Sequence, residues 1–291
     1  MTILLGVDTL CWHMPLEAGE VSVESVLAEA AELGAAGVAL NLHHVRDRGD
    51  AGVTALAATA GDLGLRLAAQ GDFVGAARHG DRVEAGVERV ARWLERAVLI
   101  GSPTLRVASG FYRAELAGQP DVIDQERAFV TAVLEGSAAA AEAAGITLLL
   151  ENHSDFSVAE YERIVQEVGP DRVGVFLDLI NPIMTFDDPY PAIARLAPLA
   201  PCGHVRDYLL ESNQQPDSYH RRGFTVHYRY PGEGQADLAS LVGALRAALR
   251  GREYLLFVEG LDSSSGVHDQ AGRLARSFEL LRTLTANGGG A

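Results

Sequence analysis

The sequence predicts a single (β/α)8 barrel, and three observations carry that expectation. Apolar, β-branched runs alternate eight times with amphipathic segments. No Pro/Gly/Ser-rich linker divides the alternation. The 291 residues suit a fold that typically needs roughly 250. A doubly wound open sheet also alternates strands with helices, but its usual GxGxxG after the first strand is missing.

Each element has a local reason. The strand runs are Ile3–Val7, Gly37–Leu42, Leu65–Ala69, Thr104–Val107, Thr147–Leu150, Val173–Leu177, the segment around His204–Val205, and Tyr254–Val258. Ser22 is an N-cap and Gly34 the stop of the first helix; Gly64, Gly101, Gly145 and Gly169 end the next four. Ser157 and Glu160 read as a capping box opening the fifth helix. Asp188 and Pro189 give the sixth an N-cap and a first-turn proline. Asp237–Leu249 and His268–Leu284 supply the seventh and eighth. The barrel is expected over 1–286, with a flexible tail at 287–291.

Composition narrows the function. Apolar residues make up 48% and charged residues 22%, an ordinary globular balance. No apolar run approaches the roughly 20 residues that cross a bilayer. The N-terminus lacks a basic segment, and Cys11 and Cys202 are the only thiols, so a reducing cytoplasm is expected. A formal charge of −15 argues against a nucleic-acid partner. All 24 basic residues other than histidine are Arg. Without Lys there is no Schiff base and no P-loop, so a polarised carbonyl needs a metal or hydrogen bonds.

Barrel active sites are built at the C-terminal ends of the strands. Strand five ends in Glu151, and strand six in Asp178 with Asn181 three residues later. Strand seven carries His204, followed by Arg206 and Asp207, and strand eight ends in Glu259. Three carboxylates and one imidazole on successive strand ends suit a hard or borderline divalent ion: Mn²⁺ first, then Mg²⁺ or Co²⁺.

"LLLENH", "VGVFLDLINP", "HVRD", "PGEG" before a helix, and "LFVEG" together resemble the xylose isomerase-like TIM-barrel superfamily, of the sugar phosphate isomerase/epimerase type. The resemblance spans the chain and is densest from 145 to 262. It implies one divalent metal on Glu151, Asp178, His204 and Glu259, with Zn²⁺ a further candidate. It also implies that Glu151 and Glu259 flank the substrate and move its proton.

Two departures stand out. Asn181 replaces the histidine of the family's Asp-x-x-His, which, with the acidic charge, weakens the AP-endonuclease-like phosphodiesterase branch. The stretch 208–230, with Arg221, Arg222, His227 and Arg229, is long enough for a lid or a partner contact. The family's substrate arginine falls near Arg229. His153, Asn181 and Arg206 are candidate substrate contacts, as is Trp12, for which ordinary packing is the alternative. Arg106 is expected behind the ligands, His79, His220 and His268 on the surface, and His43 and His44 receive no role.

The activity expected is metal-assisted proton transfer next to the carbonyl of a ketose or aldose, through an enediolate. The substrate is expected to be a neutral sugar or polyol and the protein a homo-oligomer. The same site would also serve a keto-inositol or keto-sugar dehydratase or lyase, and a non-catalytic sugar-binding barrel is the remaining reading.

Overall fold

Eight parallel strands close on themselves in the computed structural model, which describes residues 2–80, 82–213, 223–260 and 270–286. In chain order the strands are β1 (Ile3–Asp8), β2 (Gly37–Asn41), β3 (Arg66–Phe73), β4 (Thr104–Ala108), β5 (Thr147–Glu151), β6 (Val173–Asp178), β7 (Cys202–Val205), β8 (Asp207–Ser212), β9 (Phe224–Arg229) and β10 (Tyr254–Val258). The barrel runs β1-β10-β7-β6-β5-β4-β3-β2, while β8 and β9 pair only with each other. All eight predicted strands are therefore present, in one (β/α)8 TIM barrel.

The helices are α1 (His13–Glu17), α2 (Val23–Glu32), α3 (Asp50–Asp62), α4 (Ala76–His79), α5 (Val83–Leu99), α6 (Pro120–Ala143), α7 (Val158–Val168), α8 (Pro189–Leu196), α9 (Leu238–Leu249) and α10 (Gln270–Ala286). Short α1 and α4 are additions to the eight expected. Ser22 caps α2, with Ser25 as its reciprocal partner, and Ser157 with Glu160 form the box on α7. Asp188 caps α8 through Tyr190 N. The expected start of the last helix at His268 lies outside the described residues. No helix described is long and apolar enough to cross a membrane.

The period of two along a strand explains the interior. Ala39, Ala68, Leu149, Phe176, Cys202 and Phe257 form a cluster separate from the main core. Two residues further along the same strands come Asn41, Gln70, Glu151, Asp178, His204 and Glu259. Alternate residues face one side, so the apolar layer is the floor and the polar layer lies above it. Phe176 stacks on Phe257 at 6.2 Å and meets the His204 ring edge-on at 4.5 Å. Register sets the level of the polar groups: Asp178 pairs with His204, and His204 with Phe257.

The long stretch after strand seven is an antiparallel hairpin, running from the Asp207↔Arg229 pair to Ser212↔Phe224. Its tip, including Arg221 and Arg222, lies outside the described residues. Asp207 anchors the base. Its carboxylate accepts from Tyr208 N at 2.8 Å, Gly232 N at 3.1 Å, Gly234 N at 3.0 Å and Ala236 N at 2.9 Å. "HVRD" and "PGEG" are thus two halves of one contact. A Cβ at Gly234 would collide with that carboxylate and with Tyr208 O.

Candidate active site

Glu151, Asp178 and His204 present ligand-type atoms that all lie within 4.8 Å of one another, and all three are buried. Glu259 is buried beside them, with Oε2 3.4 Å from His204 Nδ1. The fold holds several other atoms of these groups. Asp178 Oδ1 accepts from Ile180 N at 2.7 Å and Asn181 N at 2.8 Å. Asn152 exchanges two hydrogen bonds with the Asp178 backbone, at 2.7 and 2.8 Å, locking the end of β5 to the end of β6. His204 Nε2 stands 2.5 Å from Asp8 Oδ2. Arg106 Nε and Nη2 grip Glu151 Oε2, and its Nη1 donates to Gly71 O at 3.3 Å.

What remains fits a cation. Asp178 Oδ2, His204 Nδ1 and Glu259 Oε2 are buried and make no well-directed hydrogen bond; the two carboxylate oxygens are met by the Arg206 guanidinium as ion pairs. Buried ligand atoms that lack a directed hydrogen bond call for a ligand or ion. Asp8, Glu151, Asp178 and Glu259 bring four carboxylates, against the guanidinium groups of Arg106 and Arg206. With His204 neutral, the form a metal ligand must take, two negative charges are left, the charge of one divalent ion. The donors, mainly oxygen with one imidazole, are those of Mn²⁺, Mg²⁺, Co²⁺ or Zn²⁺.

The electrostatics show the same imbalance. Burial opposes protonation of His204, yet Glu259, Asp8 and Glu151 outweigh it and raise its pKa to about 9. Burial opposes ionisation of Glu151, but Arg106, with smaller help from the histidines and Arg206, lowers its pKa to about 2. Burial raises Glu259, only partly offset by Arg206 and His204.

Arg206 closes the site from the hairpin side. Nη2 lies 2.9 Å from Asp178 Oδ2 and Nη1 3.1 Å from Glu259 Oε2. Its guanidinium is 3.9 Å from the centre of the Tyr228 ring, a cation–π contact. Asn181 joins these groups. Its Oδ1 accepts from Arg206 Nη2 at 3.0 Å and Tyr228 OH at 3.1 Å, and its Nδ2 lies 3.4 Å from Glu151 Oε1. The amide that replaces the expected histidine therefore ties strand five, strand six and the hairpin together.

The other expected contacts divide. His153 stands between the Phe73 and Tyr112 rings, 5.8 and 5.7 Å away, and its buried Nδ1 has no hydrogen-bond partner. Burial lowers its pKa to about 4, so the ring is neutral near pH 7. Trp12 is 4% exposed and its indole donates to Glu29 at 3.0 Å, which is the packing alternative. Arg229 sits at the base of the hairpin, where Nη1 donates to Tyr228 O at 2.9 Å. His227 pairs with Glu211 at 2.9 Å further out on the hairpin. The structure brings Arg206, Asn181 and His153 to the polar layer; Trp12 goes to the core.

Three participants escaped the sequence reading. Asp8 ends β1 as Glu151 ends β5, so the strand-end rule applied to strand one finds it. Gln70 sits in "LAAQGD", where a lone amide carries no signal; its Nε2 donates to Asp8 at 2.5 Å. Tyr228 has no local motif, and only hairpin pairing brings it over Arg206.

Residues 27–284 match the model of a family described as xylose isomerase-like TIM barrel. No curated protein matches the sequence. Solved structures that match include a D-psicose 3-epimerase determined with D-fructose, at 18% identity and a TM-score of 0.73, covering 98% of this chain and 100% of that one. A 3-keto-D-glucoside 4-epimerase from E. coli is similar at 19% identity and TM-score 0.68, covering 97% and 99%. A probable 3-DHS dehydratase of petrobactin synthesis from Bacillus anthracis is similar at 15% identity and TM-score 0.69, covering 96% and 98%.

Proposed function

Because the chain belongs to the xylose isomerase-like TIM-barrel family, we propose that it is a divalent-metal-dependent isomerase or epimerase of unphosphorylated sugars, working in the cytoplasm. The observation that supports this most directly is the buried convergence of Glu151, Asp178 and His204, with Glu259 beside them. In this reading the four hold the ion, Mn²⁺ by preference. The chemistry such an ion supplies when bound is Lewis acidity at a carbonyl oxygen.

The chain's own groups do the rest. Glu151 ends β5 and Glu259 directly follows β10, on either side of the β6–β7 pair. One takes the carbon-bound proton. Return from the same carboxyl to the neighbouring carbon isomerises; delivery by the other glutamate to the opposite face epimerises. Arg206 and Asn181 stand where substrate oxygens would gather, and neutral His153 can donate to or accept from a hydroxyl. The flanking rings of Phe73 and Tyr112 offer apolar faces to sugar C–H groups. No Lys and no glycine-rich phosphate cradle accompanies them, which favours an unphosphorylated substrate.

The test is deuterium wash-in from D₂O at saturating Mn²⁺, over a panel of ketohexoses and 3-keto-glycosides and their phosphates. Exchange at carbon next to the carbonyl of the free sugars is expected. No exchange with any member would overturn the reading, and faster turnover of phosphorylated forms would overturn its substrate class. Loss of water to an unsaturated ketone would move the reaction to dehydration.

A further inference from the structure

A second group of metal-ligand side chains gathers on the rim beyond β1 and β2. His13 and Glu17, four residues apart on α1, face one way. His44 reaches them from the 3₁₀ turn after β2. His13 Nδ1 and His44 Nε2 are 3.0 Å apart. With a Glu17 carboxylate oxygen, all three ligand atoms lie within 4.8 Å of one another. We propose that His13, Glu17 and His44 bind a second divalent cation, of the borderline class that includes Zn²⁺, independently of the site in the barrel.

The surroundings prepare the ligands. Thr9 is buried, and its Oγ1 accepts from Asn41 N at 3.0 Å and stands 3.0 Å from His44 Nδ1. With the His44 Nδ1–H donated to that oxygen, the Nε2 lone pair faces His13. A histidine whose far nitrogen is fixed in this way is the usual form of a metal ligand. His13 then has only to carry its proton on Nε2 rather than Nδ1, a tautomer exchange with no net proton release.

The spacing needs little change. Two imidazole nitrogens on a tetrahedral zinc, with bonds of about 2.0–2.1 Å, stand about 3.3 Å apart. Arg46 meets Glu17 with a fork, at 2.9 and 3.2 Å. A carboxylate offers about four lone-pair directions, so that fork fixes the side chain and leaves oxygen lone pairs open. His43 Nε2, 3.5 Å from Glu17 Oε1, stands next to the group. Two imidazoles, one carboxylate and an open position form a donor set that zinc accepts. An ion there would tie the loop after β1 to the loop after β2.

The experiment is zinc stoichiometry by equilibrium dialysis on wild type, Asp178→Ala, His44→Ala and the double variant, with thermal unfolding in chelator as the folding control. Wild type is expected to bind two equivalents, each single variant one, and the double variant none. His44→Ala should melt with wild type in chelator and lose the stabilisation that the second equivalent gives. Wild-type stoichiometry in His44→Ala overturns the proposal, as does a double variant that binds as Asp178→Ala does. Should Asp178→Ala fail to fold, wild type against His44→Ala and His13→Gln decides alone. Failure of the barrel site would remove the equivalent that Asp178→Ala loses and leave the rim equivalent in place.

Discussion

His204 Nε2 is 2.5 Å from Asp8 Oδ2, across the barrel mouth from strand seven to strand one. Gln70 donates to the same oxygen at 2.5 Å. The carboxylate holds the imidazole so that Nδ1 faces Glu151 and Glu259, the orientation a ligand needs. Asp8→Asn should weaken Mn²⁺ binding by about 10–100-fold, the usual effect of losing such a partner. Calorimetric titration of folded variant and wild type measures it. Equal affinities would leave Asp8 a packing residue.

Glu151→Gln and Glu259→Gln separate ligation from proton transfer. Glutamine keeps the shape and one oxygen, so metal should remain largely bound at saturating concentration. It cannot accept a proton, so carbon-bound exchange should drop by about 10²–10⁴-fold. Deuterium wash-in reads the rate. Wild-type exchange in both variants would move the proton transfer to other residues.

Gly234→Ala should destabilise the fold by about 1–3 kcal/mol, as overpacking does. The added methyl meets the Asp207 carboxylate that gathers the hairpin base and the "PGEG" turn. The urea midpoint should fall with its slope unchanged. An unshifted midpoint would mean that the turn relaxes freely.

Asp155 gives a pH dependence. Burial raises its pKa to about 6 from 3.8, against the opposing hydrogen bonds of Ser109, Tyr161 and the Phe156 amide. The folded state therefore holds the proton more tightly than the unfolded one. Stability from this group is full below the unfolded value, falls as pH rises through about 4 to 6, and is level above. The loss is on the order of 3 kcal/mol. Urea unfolding of wild type and Asp155→Asn across that window should show a difference that changes with pH. A constant difference would refute the assignment.

The fold was legible because each strand announces itself by apolar runs and each helix by its caps. The strand ends pointed to Glu151, Asp178, His204 and Glu259, which the structure places together in one polar layer at the barrel mouth. Asp8 answered to the same rule, but strand one lies outside the block where the motifs are dense. Gln70 and Tyr228 act through contacts 62 and 47 residues apart in sequence, with Asp8 and Asn181. Nothing local marks such pairs. Trp12 shows the converse, since a strand-end position did not expose it, and Glu29 of α2 drew the indole inward.

The hairpin inserted after strand seven has a consequence for how this protein could change substrate. Tyr228 lies on Arg206, Arg206 faces Asp178 and Glu259, and Asn181 receives both. The hairpin is therefore wired to the groups that set the charge of the centre. Grafting another hairpin here would also retune that charge. A productive exchange would have to carry Arg206, Asn181 and the hairpin as one cassette.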